Sequence, residues 1–178
     1  MKGWRGVVLL WVVAAAAIFG VWRNHTDVLR AVAAPQTPAA VGKPLPDFTV
    51  RRLDGSLASI RSFEGRPLWL NFFATWCPPC NREMPEIERY YRKDQARGLV
   101  VLALDQEEDP LLVRRFVASR GLTFPVGIDP GAAAADFSIV GLPVSVFVDR
   151  EGIVRRIRFG ELGPQEMQSS LALIGGSV

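Results

Sequence analysis

Cys77 and Cys80, in the run Trp76-Cys77-Pro78-Pro79-Cys80, are the chain's two cysteines. At that spacing they fall within disulfide range on one helical turn, and at a strand-to-helix junction such a pair reads as a redox couple. The thiolate is the reactive form of cysteine. A helix N-terminus favours it by presenting unpaired N–H groups and the positive end of the helix dipole. Cys77 is expected at that position, with a pKa below the free value of about 8.5. It would attack a disulfide, and Cys80 would then resolve the mixed disulfide. Pro78 and Pro79 lack N–H groups, but a first helical turn leaves those donors unpaired anyway, so both fit and stiffen it. Two other chemistries stay open for the pair: a structural disulfide without turnover, and a two-coordinate thiolate site for Cu(I), an ion that soft sulfur selects. Zinc fits poorly, since the single histidine, His25, lies far upstream and four ligands are needed.

Such a pair needs rigid elements around it, and the hydrophobic pattern supplies them. Residues 68–74 form an apolar run broken only by Asn71, the look of a strand buried on both faces. A helix is expected over 78–96, with Met84, Ile87 and Tyr91 at helical spacing and Gly98 as its stop. Residues 99–104 read as a second buried strand and 110–119 as a helix. The acidic run Asp105-Gln106-Glu107-Glu108-Asp109 before that helix suits the positive end of its dipole. A short strand at 124–128 and a short helix at 132–137 come next. Strands at 144–148 and 153–159 are joined at Arg150-Glu151-Gly152, and an amphipathic helix over 164–174 closes the chain. Upstream, 48–50 and 57–60 flank Asp54-Gly55, a two-residue hairpin signal. Arg155, Arg156 and Arg158 read as a solvated strand edge. The order predicts an α/β fold: a mixed central sheet flanked by helices, with a parallel core, an antiparallel edge and an N-terminal β-hairpin extension.

Charge and length divide the 178 residues. The formal net charge of +3 resides in residues 1–34, where Lys2, Arg5, Arg23 and Arg30 face Asp27 alone; the rest is neutral. A neutral domain lacks the basic face of a nucleic-acid binder. Between Arg5 and Arg23, residues 6–22 are uninterruptedly apolar, about 25 Å as a helix, at the short end of a bilayer span. Trp4 and Trp22 bracket the run, and Lys2 and Arg5 before it favour a cytoplasmic N-terminus. Residues 1–23 are therefore expected to be a membrane anchor. A signal peptide cleaved after Ala31-Val32-Ala33 or within Ala15-Ala16-Ala17 is the alternative. Either one exports the domain beyond it. Residues 24–41, rich in Ala and Pro, read as a tether, and 42–178 as one domain.

The stretch from Phe72 to Pro85, Phe-Phe-Ala-Thr-Trp-Cys-Pro-Pro-Cys-Asn-Arg-Glu-Met-Pro, resembles the active site of thioredoxin-like proteins of the TlpA/ResA type. The likeness runs from Gly42-Lys43-Pro44-Leu45-Pro46-Asp47-Phe48 to the last helix. It implies a thioredoxin-like fold and an exported, membrane-tethered thiol–disulfide oxidoreductase that uses no bound cofactor or metal beyond the redox-active cysteines. It implies that Leu142-Pro143 is a cis-proline dipeptide facing the cysteines, with Leu142 offering its backbone to substrate, and that Pro85 kinks the active-site helix. Cytosolic thioredoxins carry a buried aspartate six residues before the first cysteine; here Asn71 stands there and cannot relay a proton. The tethered group tends to have a glutamate three residues after the second cysteine, and Glu83 occupies that place. Half-buried near the thiols, Glu83 would have a raised pKa and exchange the proton of Cys80; an ordinary solvated helix residue is the alternative. Trp76 would shield Cys77 and shape the partner surface. The implied work is reduction of disulfides in exported proteins, for instance apocytochrome c, on the periplasmic side of a bacterial inner membrane. Electrons would come from a membrane dithiol carrier. A disulfide oxidant is the opposite reading of the same pair. A peroxiredoxin-like peroxidase would have its threonine three residues before the reactive cysteine, whereas Thr75 is two before Cys77.

Overall fold

The computed structural model describes residues 39–176; the expected anchor and most of the tether lie outside them. No helix among the described residues is long and apolar enough to cross a membrane. Seven strands form one sheet: β1 (Thr49–Arg52), β2 (Leu57–Ser59), β3 (Leu68–Phe73), β4 (Val100–Gln106), β5 (Val126–Asp129), β6 (Val144–Val148) and β7 (Val154–Phe159), in the order β2-β1-β5-β4-β3-β6-β7. Four helices connect or close them: α1 (Pro78–Asp94), α2 (Pro110–Arg120), α3 (Ala132–Asp136) and α4 (Pro164–Leu173).

β3, β4 and β5 run parallel, while β6 is antiparallel to β3 and β7 to β6. Right-handed crossovers from β3 to β4 and from β4 to β5 step the same way across the sheet, so α1 and α2 share a face. The side chains of β3 alternate accordingly. Trp69 and Phe73 join Met84 and Ile87 of α1, Val113 of α2 and Met167 and Leu171 of α4 in one apolar layer. Leu68, Leu70 and Phe72 join Val50, Ile60 and Phe137 in the other. Each of β3's six residues is buried, which is why its sequence is apolar throughout except for Asn71. Trp69 lies 4.9 Å from Phe147, centroid to centroid, and ties β3 to β6.

The segments flanking Asp54-Gly55 pair as antiparallel β1 and β2, with Arg51 opposite Leu57. The loop holds three residues, not the two expected: Arg52 N–H donates to Ser56 O, so Leu53 joins Asp54 and Gly55. Gly55, at φ +89°, supplies the left-handed conformation such a loop requires. β1 also pairs with β5 and so widens the sheet.

Two local expectations need correction. Asp105–Asp109 is not a set of charges on a helix dipole. Asp109 alone caps α2, accepting from Leu111 N–H, whereas Asp105 lies in β4 and Glu108 turns toward the end of β3. The arginines of β7 do stand on an edge strand, Arg155 and Arg158 exposed and Arg156 half-buried, and they are also paired. Arg155 engages Asp149, Arg156 donates to Ser169 and Ser170, and Arg158 pairs with Glu166, which fastens the edge strand to α4. The strand expected from residue 124 begins at Val126, after Pro125, whose carbonyl accepts from Ala103 N–H.

Candidate active site

β3 ends at Phe73, and a three-residue turn, Ala74-Thr75-Trp76, delivers Cys77 to the N-cap of α1. Cys77 N–H donates to Ala74 O at 3.1 Å. The Cys77 sulfur accepts from Cys80 N–H at 3.3 Å, so a helix-terminal donor points at it, as the spacing predicts. The two cysteines form a disulfide, with Cα atoms 5.3 Å apart. Pro78 and Pro79 occupy the first turn. Pro85 lies inside α1 and removes the N–H that would bond Asn81 O; the Arg120 guanidinium of α2 reaches that carbonyl instead, at 3.5 Å. Both cysteines are buried, while Trp76 beside them is 69% exposed.

The Leu142–Pro143 bond is cis. Val144, the next residue, opens β6 directly opposite Phe72 on β3, so sheet register carries this dipeptide to the end of the sheet from which Cys77 emerges. Pro143 O accepts from Gly160 N–H at 2.9 Å. Val140 and Phe159 are exposed, and Phe159 pairs with Val144 across the β6–β7 ladder.

Glu83 sits one turn beyond Cys80 and is 2% exposed, so it is fully buried and not half-buried as expected. Asn71 Nδ2 donates to Glu83 Oε1 at 2.7 Å, and Leu162 N–H donates to Oε2 at 3.0 Å. Burial dominates these hydrogen bonds, and with repulsion from Glu161 it lifts the Glu83 carboxyl from 4.5 to about 7. The group is thus poised to gain or lose a proton near neutrality. Asn71 also donates to Ser145 Oγ at 3.2 Å, which Trp69 Nε1 meets at 2.9 Å. Its role is that of a hydrogen-bonding hub, in line with its inability to titrate.

A carboxyl pair, read from the sequence only as helix-start charge, stands at the turn that presents Cys77. Glu108 accepts from Thr75 N–H at 2.5 Å and from Thr75 Oγ1 at 2.7 Å. Asp105, fully buried, accepts from Glu108 N–H at 3.0 Å. On the far side of the same turn Asn81 Nδ2 donates to Thr75 O at 2.9 Å. An acidic run at the carboxyl end of a parallel strand, where α/β sites gather, was the available signal. Among the described residues no cluster of three or more His, Cys, Asp or Glu is placed to hold a metal ion.

Residues 41–157 match the model of the AhpC/TSA family. The chain belongs to that family. Within it, the chain is 30% identical over 169 residues to the thiol-disulfide oxidoreductase ResA of Bacillus cereus, covering 94% of each protein. It is 36% identical over 135 residues to ResA of Bacillus anthracis, 75% of this chain and 78% of that one. Its fold superimposes on a thiol:disulfide interchange protein from Chlorobium tepidum with a TM-score of 0.69 at 26% identity, over 76% of this chain and 97% of that one. The resemblance to ResA-type proteins therefore holds over nearly the whole chain. This AhpC/TSA member has a thioredoxin-like α/β fold and is a thiol–disulfide oxidoreductase, and its two cysteines, Cys77 and Cys80, are joined in a disulfide.

Proposed function

We propose that this oxidoreductase is a reductant of disulfides in exported proteins, held to a bacterial inner membrane by residues 6–22 with its catalytic domain on the periplasmic side. The observation that carries this reading is the buried carboxyl of Glu83, poised near neutral pH one helical turn behind Cys80. In the reduced protein the Cys77 thiolate attacks one sulfur of a substrate disulfide; a mixed disulfide forms and the substrate's other sulfur leaves as a thiolate. Glu83 accepts the Cys80 proton, and the Cys80 thiolate attacks the Cys77 sulfur and expels the second substrate sulfur. Two electrons pass to the substrate, which ends as a dithiol once its thiolates are protonated, and the enzyme ends as the Cys77–Cys80 disulfide. The cysteines carry the electrons themselves, so no bound cofactor or metal takes part.

Leu142 and Pro143 form the backbone edge along which an extended substrate segment pairs, and exposed Trp76 contacts its side chains. Apocytochrome c before haem attachment is a substrate of the right kind, and a membrane dithiol carrier re-reduces the enzyme. Support comes from relatives named thiol-disulfide oxidoreductase ResA. Cys80→Ser in the full-length chain should leave Cys77 joined to its partner, and mass spectrometry of the adduct from membranes names the substrate. Equilibration with glutathione fixes the direction of transfer. A potential near about −120 mV, that of a strong oxidant, would overturn the reductant reading.

A further inference from the structure

Asp105 Oδ2 is buried without a hydrogen-bond partner, while the other carboxyl oxygen takes Glu108 N–H. Beside it, both oxygens of Glu108 are engaged by Thr75, the residue two before Cys77. Asp105 is fully buried and Glu108 half-buried, so two ionised carboxylates side by side here would repel, and one shared proton removes both the repulsion and the orphaned atom. We propose that Asp105 is a positioning residue that holds a proton against Glu108, and that the two carboxyls together clamp the Thr75 peptide and so fix the turn presenting Cys77.

Burial, and after it the neighbouring Glu108, push the Asp105 carboxyl up to about 8. Burial raises Glu108 as well, but the hydrogen bonds from Asp105 and Thr75 outweigh it and hold that carboxyl below its ordinary range. The proton therefore resides on Asp105 and the charge on Glu108, the distribution that lets Glu108 accept twice from Thr75.

The neighbouring charges are engaged elsewhere or exposed. On β5, Asp129 accepts from Gly131, Ala133 and Ala134 N–H, and Gln106 Nε2 of β4 approaches it at 3.5 Å. Glu107 lies over Gly131, and Asp109 caps α2. From α2, Arg114 reaches Leu53 O and Arg120 reaches Asn81 O, while Arg115 is exposed. α1 faces Thr75 with the uncharged amide of Asn81. Loss of the Asp105 proton puts a second negative charge beside Glu108 with no salt-bridge partner among the described residues, so the clamp loosens as pH rises.

The test monitors the Thr75 amide by 1H–15N NMR in the full-length oxidised chain in detergent micelles, roughly two pH units either side of about 8. The amide proton should resonate well downfield at low pH, as a short bond to a carboxylate requires, and move upfield in one transition centred near that pH. In Asp105→Asn the side-chain amide donates to Glu108 at every pH, so the resonance should stay downfield and flat. In Glu83→Gln the transition should persist, which separates it from titration at Glu83. In the reduced chain, the pH profile of Cys77 alkylation by iodoacetamide should carry the same component and lose it in Asp105→Asn. A wild-type Thr75 amide with no transition in this range would overturn the proposal. So would a transition, or an alkylation component, that survives in Asp105→Asn. The wild-type titration decides the matter even if the variant fails to fold.

Discussion

Asn71 Nδ2 stands 2.7 Å from Glu83 Oε1, so a β3 side chain that cannot titrate holds an α1 carboxyl that does so near neutrality. Twelve residues separate them in sequence, and both are buried. From this pair and its neighbours come predictions that need no knowledge of the substrate.

The first concerns pH. The folded chain keeps the Glu83 proton up to about 7, while the unfolded chain loses it near 4.5. The native state then binds more protons across that window, so stability is fully present below it and falls as pH rises through it. A shift of this size corresponds to roughly 3 kcal/mol. Glu83→Gln removes the titration. Its unfolding free energy relative to wild type should rise by about that amount between acid and slightly alkaline pH, measured by urea denaturation of the oxidised protein. A constant difference across the range would contradict the assignment.

Asn71→Asp recreates the aspartate of ordinary thioredoxins beside Glu83. It deletes the donor to both Glu83 and Ser145 and sets two carboxyls at hydrogen-bonding distance. One proton shared between them relieves this at low pH, and nothing does at high pH. Thermal denaturation should show a loss of about 1–3 kcal/mol above neutrality that shrinks toward acid.

Ser145→Ala tests the hub itself. Ser145 Oγ accepts from buried Trp69 Nε1 and from Asn71 Nδ2, so its removal orphans one donor and weakens the other. A cost of about 1–3 kcal/mol is expected, seen as a lower denaturation midpoint with an unchanged slope.

Trp76→Ala separates recognition from stability. The indole is 69% exposed, so stability should change by no more than about 0.5 kcal/mol. Turnover of a folded or extended protein disulfide should fall by about tenfold, the equivalent of roughly 1.4 kcal/mol of lost contact. Reaction with a small dithiol should be unaffected. Equal losses with both reactants would place Trp76 in the chemistry of Cys77 and not in recognition.

What the sequence by itself determined is what rests on short-range rules. The strand–turn–helix around Cys77 arises from an apolar run, two prolines that tolerate a first turn, and Gly98, which at φ +100° ends the 3-10 turn Gln95–Arg97 that follows α1. The order of alternating elements predicts the parallel core, and Pro110 marks the first residue of α2, whereas α1 ends at Asp94, short of the Gly98 stop. Tertiary structure alone decided the electrostatics. Burial of Glu83 depends on Leu162 and Asn71, which are distant in sequence and come together only when α1 packs on β3. The acidic run is equally ambiguous until β3 and β4 align with Phe73 opposite Asp105, which carries Glu108 to Thr75 across 33 residues. A carboxyl's charge depends on how much water and which partners surround it, and neither quantity is written in the spacing of residues along one strand or helix.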